Sequence, residues 1–331
     1  MRVTTPRLTH HLLKFREAGE PVLFVHGNVS SSAFWRDTLQ AVPEPYLPLA
    51  VDLRGFGRSD AAPVDATRGL RDFSDDLAEL AAHLDLGPLH LVGWSMGGGI
   101  VLQLLRDHPE LVRSLTLVNP VSPYGYGGTE GPDGRLTHAD GTGSGAGAAN
   151  PDFVARLQAG DISEEAATSP KSVFRASYVA HPVPDEDFYV ASMLTTHVGE
   201  HNYPGEAVTS DRWPGVAPGK SGVLNALAPT HFRLDDLHEL DARPPILWIR
   251  GADDVIVSDH SLMDLANLGA MGVVPGSPGT PAQPMVTQTR AVLERYGNYR
   301  EEVLADCGHS PHLEHPAEFR RLLLDHLGAA R

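Results

Sequence analysis

The sequence predicts an α/β protein in which a doubly wound, mostly parallel sheet carries an inserted, partly helical cap. Short apolar runs that end near glycines alternate with segments whose apolar residues recur every three or four positions, as in strands joined by helical crossovers. This alternation stops at residue 120 and resumes at residue 245. A chain of 331 residues can bury roughly 75% of its unfolded surface. We therefore predict one core domain, formed by residues 1–120 and 243–331, and a cap formed by residues 121–242.

The predicted strands and helices of the first half follow in a regular order. Residues 21–26 and 47–53 are apolar runs that end close to glycines, so each predicts a buried strand. Apolar residues between positions 70 and 84 recur at helical spacing, which predicts a helix with one apolar face. The same reasoning gives a strand, a helix and a strand over residues 89–92, 96–107 and 115–118. Strands joined by helices lie parallel and are covered on both faces.

The second half returns to the sheet after the cap. Residues 120–243 contain no pattern that predicts a strand, although helical patterns occur over residues 152–157 and 184–195. Residues 245–250 and 303–305 predict the last two strands, and residues 316–327 predict a closing helix. Between them, residues 269–284 are rich in glycine and proline and show no periodicity.

Two motifs in the cap resemble ligand-binding sequences without their structural context. Residues 197–201 match the zinc pattern H-x-x-E-H, which requires a helix, but Gly199 and Pro204 disfavour one. Residues 141–146 match a dinucleotide fingerprint, but no strand precedes them and no helix follows. We therefore expect neither a metal nor a cofactor.

The composition narrows the range of partners and compartments. Lysine and arginine number 26 against 42 acidic residues, a formal net charge of −16, and nucleic-acid binding depends on clustered cations. The chain has no run of 18 apolar residues and no apolar segment near residue 1, and its single cysteine, Cys307, has no partner for an internal disulfide. We expect a cytoplasmic protein that binds neither nucleic acid nor membrane. The sequence leaves open whether it forms a homo-oligomer.

Three loops that follow predicted strands carry the residues of nucleophilic acyl transfer. Residues 93–97 read Gly-Trp-Ser-Met-Gly, so Ser95 lies in a sharp turn between a strand and a helix. Residues 251–257 supply two aspartates, and residues 307–312 supply His309. The carboxyl ends of parallel strands meet at one edge of a sheet, so these loops are expected to converge.

These motifs resemble those of the α/β-hydrolase fold superfamily. The resemblance extends to His26-Gly27-Asn28 and to residues 52–59, and covers nearly all of the chain except the cap. It implies that Ser95 is the nucleophile, His309 the general base and then acid, and Asp254, rather than its neighbour Asp253, the group that orients the imidazole. It also implies an oxyanion hole formed by backbone N–H groups of Met96 and of Asn28, with Val29 as the alternative to Asn28.

The identity of the nucleophile limits the reactions that the chain is expected to catalyse. The loop over residues 26–32 resembles that of haloalkane dehalogenases and, more loosely, epoxide hydrolases, which attack carbon with an aspartate, whereas this chain has Ser95. A serine ether would not turn over, but an acyl ester would. We therefore predict a serine hydrolase that cleaves a small-molecule carboxylic ester or lactone through an acyl-enzyme. The alternatives are a carbon–carbon bond hydrolase, an acyltransferase or a lyase with the same triad, and a non-catalytic small-molecule receptor.

Aromatic residues near the predicted site are candidates for substrate contacts. Trp94 is adjacent to the nucleophile, and Tyr124 and Tyr126 follow directly from a strand end. Together with Val29 in the oxyanion loop, they are expected to contact the substrate.

Overall fold

The computed structural model describes residues 1–330 and begins with an alternation of strands and helices. The strands of this first part are β1 (Arg2–Thr4), β2 (Thr9–Lys14), β3 (Glu20–Val25), β4 (Tyr46–Val51), β5 (Leu89–Trp94) and β6 (Val112–Val118). The helices are α1 (Arg36–Ala41), α2 (Arg71–His83) and α3 (Met96–Asp107), with 3₁₀ turns at Ser32–Trp35, Ala66–Arg68 and Pro109–Leu111. Helix α2 buries the face that its leucines and phenylalanine predict, so the helical periodicity is matched.

Residues 121–242, which are predicted to form the cap, contain short elements of both kinds. Their strands are β7 (Thr129–Glu130), β8 (Arg135–Leu136), β9 (Val198–Gly199), β10 (Tyr203–Pro204), β11 (Ala207–Thr209) and β12 (Val216–Pro218). Their helices are α4 (Pro151–Ala159), α5 (Pro170–Val173), α6 (Glu186–Met193) and α7 (Val223–Ala226), with 3₁₀ turns at Ala146–Ala148 and Leu237–Glu239 and a π turn at Phe174–Tyr178.

The structure differs from the expectation that residues 120–243 contain no strand. Strands β7 to β12 form three two-stranded ribbons, β7 with β8, β9 with β10 and β11 with β12. Each ribbon strand has only two or three residues, which is too short to produce the alternation that identifies a strand in sequence.

The chain then completes the main sheet. The remaining elements are β13 (Ile246–Gly251), α8 (Leu265–Ala270), α9 (Met285–Tyr296), β14 (Tyr299–Leu304), α10 (Pro311–Glu314) and α11 (Pro316–Ala329). The eight sheet strands lie in the order β1-β2-β4-β3-β5-β6-β13-β14. Pairing is antiparallel only between β1 and β2 and between β2 and β4. The predicted α/β class and mostly parallel sheet are therefore confirmed.

The central strands are buried because the sheet is covered on both faces. Every residue of β5 is buried, as are six of the seven residues of β6. Parallel strands of this kind have apolar side chains on both faces rather than on one. The loops after β3, β5, β6, β13 and β14 consequently open on one edge of the sheet. Among residues 1–330, no helix combines the length and apolarity required to cross a bilayer.

Candidate active site

Ser95 occupies a strained turn between β5 and α3. Its φ is 56° and its ψ is −121°, a combination that costs of order 1–3 kcal/mol for a non-glycine residue. Residues at the end of β6 and just after it hold the turn in place. The Ser95 N–H donates to the Val118 carbonyl at 2.9 Å, and the Ser95 carbonyl accepts from the Val121 N–H at 3.0 Å. The strain therefore persists, and it leaves Ser95 half-buried on the wall of a cavity.

Two glycines allow the turn to pack against β3. A Cβ on Gly97 would lie 2.4 Å from the Val25 carbonyl oxygen, and a Cβ on Gly27 would lie 2.9 Å from the Ser95 Cβ. Neither neighbour can move without displacing backbone. Both positions therefore require glycine for close approach, independently of backbone conformation.

His309 and Asp254 form a direct pair at the same edge of the sheet. The His309 Nδ1 donates to the Asp254 Oδ2 at 2.8 Å, and both side chains are buried. The other carboxylate oxygen of Asp254 accepts from the N–H groups of Ile256 at 2.8 Å and Val257 at 3.1 Å. These bonds fix the carboxylate, so the imidazole proton lies on Nδ1 and Nε2 remains an acceptor. The neighbouring Asp253 is exposed.

Trp94 and Asn119 hold the histidine loop against the serine turn. The indole N–H of Trp94 donates to the His309 carbonyl at 2.7 Å. The Asn119 amide donates to the carbonyls of Gly308 at 3.1 Å and His309 at 2.9 Å, and its oxygen accepts from the Gly251 N–H at 3.2 Å. Within residues 1–330 the Ser95 hydroxyl makes no hydrogen bond. Hydrogen bonds between catalytic groups are commonly long in the absence of substrate. The bonds from Trp94 and Asn119 thus fix the position of the histidine loop, but the structure shows no contact between the Ser95 hydroxyl and His309.

The loop after β3 brings Asn28 to the cavity that Ser95 lines. The Gly27 carbonyl accepts from the His26 Nδ1 at 2.7 Å and from the Ser30 hydroxyl at 2.8 Å. Burial lowers the pKa of His26 to about 4, so the ring is neutral, and its Nε2 accepts from the Leu53 N–H at 3.0 Å. In a trans peptide the N–H points opposite to the carbonyl, so the Asn28 N–H points away from these donors.

Asn28 and Met96 meet the requirements of the predicted oxyanion donors. Both line the cavity beside Ser95, and no oxygen of residues 1–330 accepts from either N–H. Met96 is the first residue of α3, where N–H groups are unpaired and the helix dipole favours negative charge. Val29, the alternative to Asn28, is 2% exposed and does not line the cavity. The geometry therefore favours Asn28.

The cavity is about 330 Å³ and mostly apolar. None of its lining residues in the described chain is ionisable at neutral pH. Its larger apolar side chains come from the core, the cap and the segment after Asp254: Met96, Val121, Phe153, Val173, Leu224, Leu227, Ile256, Val257, Leu262, Met263, Leu265 and Leu268. A volume near the lower end of small-molecule sites suits a ligand of modest size without charge.

Of the expected substrate contacts, Tyr126 lies on the cavity wall and three others do not. The Tyr126 hydroxyl donates to the Ile256 carbonyl at 2.9 Å and bonds the Ser261 hydroxyl at 2.8 Å. Val29 is turned into the core, as described above.

Trp94 and Tyr124 differ from expectation because both are buried by packing. Trp94 is fully buried, stacks on Phe34 at 5.1 Å, and uses its N–H on the histidine loop. Tyr124 is 1% exposed; Arg233 lies over its ring at 4.6 Å and Arg295 donates to its hydroxyl at 2.9 Å. Large aromatic rings bury much apolar surface when they pack in a core, and both rings do so here.

Sequence reasoning missed two segments of the cavity wall. The glycine-rich stretch contributes Gly127, Gly143 and Gly145, and it is ordered by bonds such as that from the Gly143 N–H to the Val216 carbonyl at 2.9 Å. The second segment runs over residues 262–268 and includes the start of α8. Its leucines at positions 262, 265 and 268 recur every three residues, which is a helical spacing. This spacing was overlooked because the segment adjoins the glycine- and proline-rich residues 269–284.

Two residues with reactive side chains are accounted for by structure. Residues 198–201 form β9 and the turn after it, so the motif over residues 197–201 is not helical, and the His201 Nδ1 bonds the Ser221 hydroxyl at 2.8 Å. Burial, followed by the nearby carboxylates of Glu314 and Asp254, raises the pKa of the Cys307 thiol above its ordinary value. A neutral thiol is a weak nucleophile.

Comparisons with known proteins identify the fold. A family model described as the alpha/beta hydrolase fold matches residues 20–141. Among solved structures, the esterase RhEst1 from Rhodococcus sp. ECU1013 superposes with a TM-score of 0.63 at 19% identity, covering 100% of this chain and 98% of that one. Est816, described as an N-acyl homoserine lactone degrading enzyme, superposes with a TM-score of 0.59 at 18% identity, covering 98% and 99%. The family model and the superpositions show that the chain has the alpha/beta hydrolase fold.

Similarity to curated proteins is restricted to part of the chain. Probable lysophospholipase BODYGUARD 3 of Arabidopsis thaliana is 39% identical over 112 residues, which are 32% of this chain and 22% of that protein. The chain thus matches less than a quarter of that relative's length.

Proposed function

We propose that this protein is a serine hydrolase that cleaves a neutral carboxylic ester or lactone through a covalent acyl-enzyme. The observation that carries the proposal is the 2.8 Å hydrogen bond from the His309 Nδ1 to Asp254, at the sheet edge that also bears the Ser95 turn. A serine in a strand-to-helix turn, a base and an orienting carboxylate form the set that nucleophilic acyl transfer needs.

The first half of the reaction forms the acyl-enzyme. The His309 Nε2 takes the proton of the Ser95 hydroxyl while Oγ bonds to the substrate carbonyl carbon and the carbonyl electron pair moves to oxygen. The N–H groups of Asn28 and Met96 stabilise this oxyanion. When the intermediate collapses, the bond to the leaving oxygen breaks and His309 returns the proton to it. Asp254 stabilises the imidazolium and remains ionised.

The second half regenerates the serine. Water gives a proton to His309 as its oxygen attacks the acyl carbon, and a second oxyanion forms in the same place. Collapse breaks the bond to Ser95 Oγ, which recovers the proton, and releases the acid. A lactone gives one hydroxy acid because its leaving oxygen stays attached to the acyl group.

The cavity supports a neutral substrate with an apolar portion. An ionised group would lose hydration without finding a charged partner on this wall, which is costly. The names of two structural neighbours, an esterase and a lactone degrading enzyme, agree with both substrate classes. A tyrosine hydroxyl on the wall, that of Tyr203, makes no hydrogen bond within residues 1–330, and burial raises its pKa above the ordinary value. It remains a donor for a second acceptor atom on the substrate.

The test is hydrolysis of p-nitrophenyl esters and lactones of graded size by the wild type and by Ser95→Ala. We expect Ser95→Ala to lose hydrolysis while it retains its unfolding temperature, and a fluorophosphonate to label only the peptide that contains Ser95. Hydrolysis that survives Ser95→Ala, or label on another residue, would refute the proposal. Adding an alcohol distinguishes the acyltransferase alternative, because a transferase diverts the acyl group from water.

A further inference from the structure

One segment of the cap contacts both catalytic loops. The π turn Phe174–Tyr178 brings the Tyr178 hydroxyl to the oxyanion loop, where it lies 3.1 Å from the Asn28 carbonyl oxygen and 3.3 Å from that of Val29. Two residues further on, the Ala180 N–H donates to Glu314 at 2.7 Å. The Glu314 carboxylate also accepts from the Gly308 N–H at 3.0 Å. The segment from Phe174 to Ala180, here called the cap strut, therefore joins the oxyanion loop to the histidine loop.

The oxyanion loop is strained at the residue that the cap strut holds. Val29 has a φ of 45°, which is an outlier for a β-branched residue and costs of order 1–3 kcal/mol. The Tyr178 hydroxyl lies within hydrogen-bond distance of the two carbonyls on either side of its Cα, and its single proton is shared between them or donated to one at a time. These hydrogen bonds favour the strained arrangement over one in which the peptide between Asn28 and Val29 rotates.

The core alone fixes only one of the two peptide planes that flank Asn28. The plane before Asn28 is held through the Gly27 carbonyl by His26 and Ser30. The plane after Asn28 is held through its own carbonyl, and among residues 1–330 Tyr178 is the donor to it. The Asn28 N–H lies in the first plane, and the two planes share the Asn28 Cα. Relaxation of the strained loop therefore acts on this proposed donor by displacing that Cα, which Tyr178 holds through the Asn28 carbonyl.

The Tyr178 side chain is held in place by its neighbours, so its hydroxyl is a fixed hydrogen-bond donor. It is buried, stacks on Phe174 at 5.8 Å, and packs edge-on against the ring of His309 at 6.2 Å. Burial, and then the nearby Tyr203 hydroxyl, raises the pKa of Tyr178 above its ordinary value. The hydroxyl is thus protonated and able to donate at neutral pH.

We propose that Tyr178 is a positioning residue that holds the strained oxyanion loop, so that oxyanion stabilisation depends on the docked cap strut. Tyr178 does not touch the substrate in this proposal; it acts through Asn28. The proposal rests on the proposed function, because it concerns the donor that this function requires.

The test compares Tyr178→Phe with Tyr189→Phe. Tyr189 belongs to the same aromatic cluster and stacks on Phe174 at 6.0 Å, but its hydroxyl donates to Asp37 at 3.3 Å rather than to the oxyanion loop. Each change deletes one cap hydroxyl and keeps the ring. We expect Tyr178→Phe to lower kcat by about 10- to 100-fold, less than the loss of a complete oxyanion donor, with KM within about twofold of wild type. Tyr189→Phe should keep kcat within about twofold.

A second measurement locates the defect. A trifluoromethyl ketone forms a hemiketal with the serine and places its oxyanion in the hole, so its affinity reports oxyanion stabilisation. In Tyr178→Phe we expect this affinity to fall by the same factor as kcat. Wild-type kcat in a folded Tyr178→Phe, equal losses of kcat in the two variants, or unchanged inhibitor affinity beside a reduced kcat would each overturn the proposal. If the proposed function itself were wrong, Ser95→Ala would retain hydrolysis. That result distinguishes its failure from the failure of the positioning proposal.

Discussion

Replacing Asp254 by asparagine tests the proposed catalytic role of His309 and the orientation of its ring. One Asp254 oxygen accepts from two backbone N–H groups, of Ile256 and Val257, and the other accepts from His309. If the new amide nitrogen faced the backbone, two buried donors would lose their acceptor, at about 1–3 kcal/mol each. The amide therefore turns its nitrogen toward His309. Two donors cannot face each other, so the imidazole proton moves to Nε2.

The expected consequence is a loss of base catalysis without a loss of structure. An imidazole protonated on Nε2 cannot accept the Ser95 proton, and the same change in a serine protease triad costs about 10⁴-fold in kcat, or about 5 kcal/mol in the barrier. We expect a loss of that order in Asp254→Asn, since the pair is fully buried and no other carboxylate accepts from the His309 Nδ1.

The assay is steady-state hydrolysis of a neutral p-nitrophenyl ester, with thermal unfolding to verify the fold. Asp253→Asn is the matched control, because this exposed carboxylate is adjacent in sequence and makes no bond to the histidine. The control should keep kcat within about twofold. The reasoning is refuted if Asp254→Asn retains more than about a tenth of wild-type kcat, or if both variants lose activity equally.

Three further changes test the packing, the substrate and the pH dependence. Gly97→Ala should lower the free energy of unfolding in urea by about 1–3 kcal/mol, because its Cβ would lie 2.4 Å from the Val25 carbonyl oxygen; wild-type stability would contradict this. Tyr203→Phe should lower kcat/KM about tenfold for esters with a second hydrogen-bond acceptor and spare plain alkanoates; equal effects on both would contradict the assignment. Burial, and then His309, lowers the pKa of His312 to about 3 from 6.5, so stability present above pH 6.5 is lost as pH falls toward 3. At pH 5 this loss is about 2 kcal/mol, and in His312→Phe the difference in unfolding free energy between pH 8 and pH 5 should be smaller by that amount; an unchanged difference would contradict it.

The parts of the molecule that follow from local sequence were predictable. Helix α3 covers the predicted residues, and β5 with the Ser95 turn has the expected form, because glycine spacing and apolar period act within a few residues. The pairing of Asp254 with His309 agrees with prediction because parallel strands place their following loops at one edge. The expected contacts of Trp94 and Tyr124 with the cavity were not predictable, since the sequence does not tell an aromatic residue of the core from one of a wall.

The sequence alone predicted β3 to β6 with α2 and α3, the last two strands and the closing helix, and the loops that carry the serine, histidine and aspartate. It also led to the prediction of an acyl rather than an alkyl substrate. Those properties depend on residue chemistry and short-range periodicity. Only the tertiary structure decided that Asn119 and Trp94 hold the histidine loop, that the glycine-rich cap segment lines the cavity, and that Tyr178 reaches the oxyanion loop. The physical reason is that these contacts join residues up to 215 positions apart, and a hydrogen bond over such a separation leaves no periodic signal in the chain.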